Sequence, residues 1–367
     1  MTTNLIGARI KALREERKLS QDELARIFGF KDRQTVSAIE TGERRVSVEE
    51  LLLAVEKLGA SLDYFTDPFL LVGEGQFSWR QSNAGGVALD AYERVAGRWI
   101  AAYRELKSKL GELSPLLRRR LGLTRHHQFE DAMVAGERFA AEFQLGRVPA
   151  ACLADAMENE LQILVLNVDA FDRISGAACR LPELDAVLIN RKEVAGRRHF
   201  DLAHELFHIL TWDAMPPERA EDAGETSKIR VEQLANNFAS AVLMPSEALD
   251  RHGDWSSVPD AELPVRLGAV ANELQVTASA LKWRLVATDR LKRAQAQATS
   301  DAALRKTRRE GKLAPPPLFS KAFIAVIGRA LAAGLLSARR AAGLLDMTID
   351  DLGDLLKTYG LESPVDL

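Results

Sequence analysis

The sequence lacks the features that mark secreted and membrane-spanning proteins. It contains only two cysteines, Cys152 and Cys179, and their spacing fits neither a disulfide framework nor a cysteine metal site. We therefore expect free, buried thiols in a reducing compartment. The longest apolar stretch, from Ala322 to Leu336, is too short to span a bilayer, and no signal-peptide pattern follows Met1. These absences predict a cytoplasmic protein with no membrane partner.

The chain also lacks a charge excess and any evident internal repeat. Its 49 basic and 52 acidic residues give a formal net charge of −3, which excludes a globally basic nucleic-acid-binding protein. Hydrophobic residues make up 47% of the chain and charged residues 28%, as in ordinary globular proteins. With 367 residues there is room for two or three domains, so any binding function must come from local motifs.

One such motif is His-Glu-x-x-His at residues 204–208. In a helix, residues four apart lie on the same face, so His204 and His208 can reach one zinc ion. Glu205 is then placed to take a proton from water at that metal. The surrounding apolar residues predict a buried helix, in which these polar groups are costly unless paired or metal-bound. The alternative is an amphipathic helix whose histidines are merely hydrogen-bonded.

A zinc site with two histidines needs a third protein ligand. Glu232 is the best candidate, because it belongs to a helical segment that Pro245 ends. Ala235, Asn236 and Ala239 share its stripe, and small residues there would let this helix approach the motif helix. The spacing equally allows Glu232 to be a solvated carboxylate near the helix N-terminus, so both interpretations stay open on spacing alone.

Three blocks, at residues 186–190, 200–208 and 232–245, resemble in order the ImmA/IrrE family of metallopeptidases. The first is strand-like, the second contains His-Glu-x-x-His, and the third reads Glu-x-x-Ala-Asn-x-Phe-Ala and then Leu-Met-Pro. The resemblance covers residues 145 to 255, approximately. It implies a zinc-dependent metalloendopeptidase that cleaves or inactivates a partner repressor.

The resemblance assigns a role to each residue of the site. It implies that His204, His208 and Glu232 hold zinc and that Glu205 is the catalytic base. Many family members have Gly where this chain has Phe207, whose ring would either narrow the cleft or fill the core. A donor for the oxyanion is also needed, and neither His199 nor His252 is singled out by the sequence. His199 lies off the ligand face, which favours a structural or surface role.

Residues 1–66 have the pattern of a five-helix bundle. Ser20 and Glu23 form a capping box that begins the second helix, and Asp32 caps a third helix that ends before Gly42. Two short helices joined by a tight, glycine-containing turn describe a helix-turn-helix. The two motif helices resemble the Xre/Cro-type repressor family, which places its second motif helix in the DNA major groove.

That resemblance implies a double-stranded DNA operator as partner and a homodimer on a palindromic site. It places Gln34, Thr35 and Ser37 at base edges, and assigns phosphate contacts to four further residues, Gln21, Arg33, Arg44 and Arg45. Residues 1–66 carry eleven basic and eleven acidic side chains, so affinity would depend on local clusters. A helical interaction domain that no longer binds DNA is the alternative.

The whole sequence predicts a multidomain, mainly α protein with an α+β part. Linker-like composition and helical periodicity divide it into five segments. They are the helix-turn-helix bundle (1–66), a linker and helical connector (67–144), a zincin-like α+β domain with a small sheet and a helical extension (145–296), a basic, proline-rich linker (297–319) and a C-terminal helical module (320–367). For the last, which resembles a degenerate helix-turn-helix, we expect oligomerisation or partner docking.

The combined motifs predict a DNA-binding transcriptional regulator with a zinc metallopeptidase domain. We expect it to hydrolyse a peptide bond in a repressor, either this chain or a partner, in a stress or phage and mobile-element response. Two alternatives remain. One is a non-enzymatic repressor or sensor with a peptidase-like domain, and the other is a regulator in a toxin–antitoxin or defence system.

Overall fold

A computed structural model describes residues 5–72, 75–81, 86–113, 115–170, 174–216, 225–306 and 314–362. Across these ranges the protein is mainly α-helical with one four-stranded sheet, which confirms the predicted fold class. Parts of the two predicted linkers, residues 82–85 and 307–313, lie outside the described residues.

The N-terminal bundle has the five predicted helices. Its helices are α1 (Leu5–Glu16), α2 (Gln21–Phe28), α3 (Arg33–Thr41), α4 (Val48–Leu58) and α5 (Leu62–Thr66). Ser20 and Asp32 accept hydrogen bonds from backbone amides at the starts of α2 and α3, and Gly29 and Gly42 end these helices in the left-handed conformation. The bundle closes over its own small apolar core, which includes Leu24, Val36, Ile39 and Phe65.

The sheet has the strand order β1-β3-β4-β2. Its strands are β1 (Gln76–Gln81), β2 (Ile163–Val168), β3 (Ile174–Arg180) and β4 (Asp185–Asn190). The β2 and β4 strands are parallel, whereas β3 pairs antiparallel with both β1 and β4. The β1 strand lies in a segment whose glycines and polar residues indicated a linker. It is only six residues long, and its partner β3 follows almost a hundred residues later, so local periodicity gives little sign of it.

Helices cover both faces of the sheet. They are α6 (Gly86–Lys109), α7 (Phe129–Glu142), α8 (Pro149–Asn159), α9 (Ala195–Thr211), α10 (Glu225–Leu243), α11 (Ser246–Asp250), α12 (Leu263–Glu273), α13 (Ala278–Ala287), α14 (Arg293–Ala298), α15 (Asp301–Lys306), α16 (Lys321–Ala332), α17 (Ala338–Leu345) and α18 (Ile349–Thr358). The α15 helix lies inside the segment expected to be the second linker, and its Leu304 is buried in the core.

Alternate strand residues contribute to two separate cores. Val165, Val187 and Ile189 join the core formed with α7–α10 and the helices that follow, whereas Leu166 and Leu188 join a core formed with α6 and α16–α18. The C-terminal module is therefore packed within this chain, against α6 and the sheet. Of the two cysteines expected to be buried, Cys179 is buried on β3 but Cys152 is exposed on α8, because it lies on the solvent face of that helix.

The described residues include no helix with the length and apolar character needed to cross a membrane.

Candidate metal centre and DNA-binding surface

The His-Glu-x-x-His motif lies on α9, which packs against β3 and β4. His204 is 0% exposed, Glu205 1% and His208 6%, as expected for a buried helix. Gly196 lets the first turn of α9 approach the loop between α12 and α13, because a Cβ at this position would lie 2.4 Å from the carbonyl carbon of Val276. The apolar residues around the motif therefore belong to the core formed with α7–α10 and the helices that follow.

The two motif histidines and Glu232 converge on one point. The Nε2 atoms of His204 and His208 are 3.1 Å apart. The Glu232 carboxylate on α10 lies 3.1 Å from His204 Nε2 through Oε2 and 3.4 Å from His208 Nε2 through Oε1. One nitrogen from each histidine and one carboxylate oxygen therefore lie within 4.8 Å of one another, as the ligands of a single metal ion must.

The electrostatics of Glu232 follow from this convergence. Burial alone raises the pKa of its carboxyl, but hydrogen bonds from His204 and His208, together with their charges, bring that pKa well below its usual range. Glu232 is therefore ionised and directed between the two imidazoles, whereas a solvated carboxylate at a helix end would have no such neighbours.

Asn236 holds the other side of His204. It lies one turn after Glu232 on α10, and its Oδ1 is 3.0 Å from His204 Nδ1. An acceptor at Nδ1 keeps the proton there and leaves Nε2 with its lone pair directed at the centre. The sequence predicts that Asn236 shares the helix stripe of Glu232, but it indicates for Asn236 only a small residue that allows close helix packing. Its i+4 spacing from Glu232 was the available signal.

Glu205 lies over β3. A Cβ added at Gly176 would be 3.4 Å from Glu205 Cγ and 3.2 Å from the Leu188 carbonyl oxygen, so the glycine makes room for the glutamate. Phe207, the residue that departs from the family pattern, is fully buried and packs against Phe238 with ring centroids 5.5 Å apart. Its ring therefore fills the core.

His199 and His252, the two histidines considered as oxyanion donors, are not members of the His204–His208–Glu232 group. His199 Nδ1 is 2.8 Å from the Gln275 carbonyl oxygen, and burial lowers the pKa of its imidazole. Such a bond ties α9 to the loop before α13, which is a structural role. The backbone amide of His252 bonds to the Leu249 carbonyl after α11, and its side chain is not part of the His204–His208–Glu232 group.

The second motif helix of the bundle, α3, presents a polar surface. Arg33 and Gln34 are exposed, and Thr35 and Ser37 are half-buried. Asp32 accepts from the backbone amide of Thr35 at 3.1 Å. Arg45, in the turn after α3, is exposed as well.

Two residues predicted to hold phosphates have carboxylate partners in this structure. Gln21 donates to Glu40 Oε2 at 2.8 Å. Arg44 donates to both oxygens of Glu50, at 3.0 and 2.6 Å. Glu40 also accepts from Arg14, and Glu50 also accepts from the backbone amide of Ser47, so both carboxylates are held within the bundle. The motif alone does not reveal them because each partner lies on a different element.

Comparison with known proteins agrees with both features. Residues 10–65 match the helix-turn-helix family model, and residues 175–286 match the model of the IrrE N-terminal-like domain. The chain is thus a transcription regulator in which a helix-turn-helix domain is fused to a peptidase-family domain. The second of these domains is ImmA/IrrE-like, as the sequence motifs predicted.

Matches outside these family models are weaker. No curated protein is significantly similar to the chain. Among solved structures, ComR from S. thermophilus, in complex with DNA and its signalling peptide ComS, is 11% identical. The comparison covers 97% of this chain and 100% of that chain at a TM-score of 0.17. Apo ComR from Streptococcus vestibularis is 12% identical over 90% and 98% of the two chains, with a TM-score of 0.16. TM-scores this low do not indicate a shared fold.

Proposed function

We propose that this regulator binds zinc at His204, His208 and Glu232 and hydrolyses a peptide bond in a repressor, either itself or a partner, to switch transcription. The observation that carries the proposal is the convergence of the three ligand atoms beside a buried glutamate. A purely structural metal site would need no carboxylate placed as Glu205 is.

The donor set fits zinc. Two imidazole nitrogens and one carboxylate oxygen, with a fourth position left for water or substrate, are the ligands of many catalytic zinc sites. Ligands about 2.0–2.1 Å from a tetrahedral zinc lie roughly 3.3 Å from one another. The two Nε2 atoms are 3.1 Å apart, and each has an oxygen of the Glu232 carboxylate at a similar distance, Oε2 at 3.1 Å from His204 and Oε1 at 3.4 Å from His208.

The chemistry divides between the metal and the chain. Zinc bound here would polarise the substrate carbonyl and lower the pKa of water. Glu205 would accept a proton from the attacking water and pass it to the leaving amine. Asn236 would hold the His204 imidazole in the tautomer that presents Nε2. Glu232 would supply the third ligand as an ionised carboxylate.

The DNA-binding part of the proposal depends on α3. We propose that Gln34, Thr35 and Ser37 contact base edges and that Arg33 and Arg45 contact phosphates. Gln21 and Arg44 would contact phosphates only by leaving or sharing their carboxylate partners, Glu40 and Glu50. Their contribution to affinity should therefore be smaller than that of Arg33 and Arg45.

A reporter driven by the protein's own promoter tests the coupling between the two domains. We expect Glu205→Gln to keep its metal and its DNA binding but to lose derepression, because glutamine preserves the shape but cannot accept the proton. Glu247→Gln, a change at an exposed residue of α11, is the matched control and should behave as the parent does. Derepression by Glu205→Gln to the parent's level would contradict proteolytic switching.

A further inference from the structure

A cavity of about 240 Å³ lies between α6, α8 and the start of β2, away from the metal centre. Its lining contains no residue of the metal centre. It includes charged side chains of both signs, contributed by α6, by α8 and by the turn between β3 and β4. This volume is below the range of about 300–1,000 Å³ that is usual for drug-sized ligands, so any occupant must be small.

The cationic side of the cavity is formed by α6. Arg104 is buried, and its Nη1 lies 3.4 Å from Glu183 Oε1. Lys107, one turn further along, holds its Nζ 5.5 Å from the centre of the Tyr103 ring. Arg104 and Lys107 are the two cationic side chains of the lining, and a ligand carboxylate can bind beside both.

The anionic side comes from Glu158 and Glu183. Glu158, near the end of α8, accepts from the backbone amide of Val165 at 3.3 Å. Burial raises the pKa of its carboxyl, and a cation placed beside it would offset that desolvation. A ligand ammonium group that entered the cavity would therefore stabilise the ionised form of Glu158.

The rest of the lining is mostly aliphatic. It consists of Leu113, Leu116, Ile163, Leu164 and Leu184, together with the polar residues Asn159 and Gln162. Leu113 and Leu116 lie in the segment between α6 and α7, where Leu113 is exposed and Leu116 is half-buried. A ligand side chain that covered them would remove apolar surface from water.

We propose that this cavity binds a small zwitterion with an aliphatic side chain, which is the chemistry of a free amino acid such as leucine or of a short aliphatic dipeptide. The carboxylate would lie between Arg104 and Lys107, and the ammonium group would face Glu158 and Glu183. The aliphatic side chain would contact Leu113 and Leu116. An ion of a single charge would satisfy only one side of the cavity.

The walls of the cavity are connected to the C-terminal module. The Tyr103 ring stacks on Phe323 of α16, with centroids 6.0 Å apart. Glu112, next to Leu113, accepts from Arg329 of α16 at 2.8 and 2.7 Å. A ligand that bridges α6, α8 and the side chains of Leu113 and Leu116 therefore binds the native arrangement only, and should raise the melting temperature of the full chain.

Calorimetry and thermal melting of the full chain test the proposal with four probes. Leucine and Leu-Leu carry both charges and separate the amino acid from the dipeptide as the source. The probe 4-methylpentanoate lacks the ammonium group, and 3-methylbutylamine lacks the carboxylate. We expect saturable binding of leucine or Leu-Leu, with each singly charged probe binding roughly tenfold or more weakly, since each loses charge-assisted hydrogen bonds.

Lys107→Ala and Leu116→Trp are the test variants. The first removes a carboxylate partner and should weaken binding about tenfold or more, and the second fills the cavity and should abolish binding. Lys109→Ala is the matched control, because Lys109 lies on the same helix but pairs with Glu105 outside the lining. Failure of both zwitterions to bind, or equal binding by parent, Lys107→Ala and Leu116→Trp, would overturn the proposal.

Discussion

The imidazole of His204 is contacted at both nitrogens. Nε2 faces His208 and Glu232, and Nδ1 faces the Asn236 amide oxygen. Glu232 and Asn236 come from the same face of α10, so one helix supplies both the third candidate ligand and the group that orients the first. At the scale of single residues, the register between α9 and α10 therefore decides whether the centre can bind a metal.

Removal of the Asn236 amide should weaken metal binding without removing a ligand. We expect Asn236→Ala to lower zinc affinity about 10–100-fold, as is usual when the partner of a liganding histidine is lost. The measurement is competition with a chelator of known affinity. Asn237→Ala is the control, because the Asn237 side chain donates to the Gln233 carbonyl at 2.8 Å within α10 and is not in the His204–His208–Glu232 group. Equal affinity in both variants would argue against an orienting role for Asn236.

Much of this centre could be predicted from sequence, for a local reason. His204, Glu205 and His208 lie within five residues, and the i, i+4 rule determines their geometry wherever a helix forms. Glu232 needed the resemblance as well, because its distance from His204 depends on tertiary packing. The carboxylate partners of Gln21 and Arg44 were missed for the same reason, since motif positions do not say what a neighbouring helix presents.

At the scale of elements, α10 is positioned by its contact with α7. Gly136 on α7 allows this approach, because a Cβ there would lie 2.6 Å from the Phe238 carbonyl oxygen and 2.9 Å from the Ala241 Cβ. Phe139 continues the contact, with its ring centroid 6.0 Å from that of Phe238. The close contact with α7 at Gly136 thus sets the position of α10, the helix that carries Glu232.

We expect Gly136→Ala to destabilise the protein by roughly 1–3 kcal/mol, which is typical of overpacking. Gly343→Ala is the matched control, because Gly343 also lies within a helix but its added Cβ would meet nothing within 4 Å. That change should stabilise α17 by about 0.5–1 kcal/mol through helix propensity. Urea denaturation of both variants measures the free energies of unfolding. A neutral Gly136→Ala would contradict the tight contact between α7 and α10.

Elements with strong periodicity were predictable, and those defined by distant partners were not. The α2, α3 and α4 helices begin with side-chain caps and end at glycines, signals that a short window reveals. The β1 strand has neither signal, and it exists because β3 pairs with it. Likewise, the sequence alone allowed the apolar faces of the C-terminal module to pack against another protein. Within the part of the chain that is described, α6 and the sheet bury them.

At the scale of the whole molecule, the chain that leaves the bundle is held from two sides. Arg9 on α1 is fully buried and donates to the carbonyl oxygens of Tyr64, Asp67 and Leu70 at 2.8, 2.8 and 2.6 Å. From the other side, Arg340 of α17 donates to the Asp67 carboxylate at 2.7 Å. The DNA-binding bundle and the C-terminal module therefore meet at one short segment.

Replacement of Arg9 should destabilise this junction strongly. Arg9→Met keeps most of the side-chain volume but removes donors from three carbonyls, and we expect a loss of at least about 2–3 kcal/mol. Lys11→Met, an exposed change on the same helix, is the control and should be close to neutral. The free energy of unfolding in urea, followed by circular dichroism, distinguishes them. Equal stability of the two variants would mean that the junction bonds contribute little.

The central claim is that α9 and α10 together form one zinc site, and metal content tests it most directly. We predict about one zinc per chain in the purified wild type, lost in both His204→Ala and Glu232→Ala. Zinc should be retained in His199→Ala, whose imidazole bonds to a backbone carbonyl outside the centre. A wild-type protein that binds no zinc even when zinc is supplied, or a Glu232→Ala variant that keeps a full equivalent, would contradict this claim.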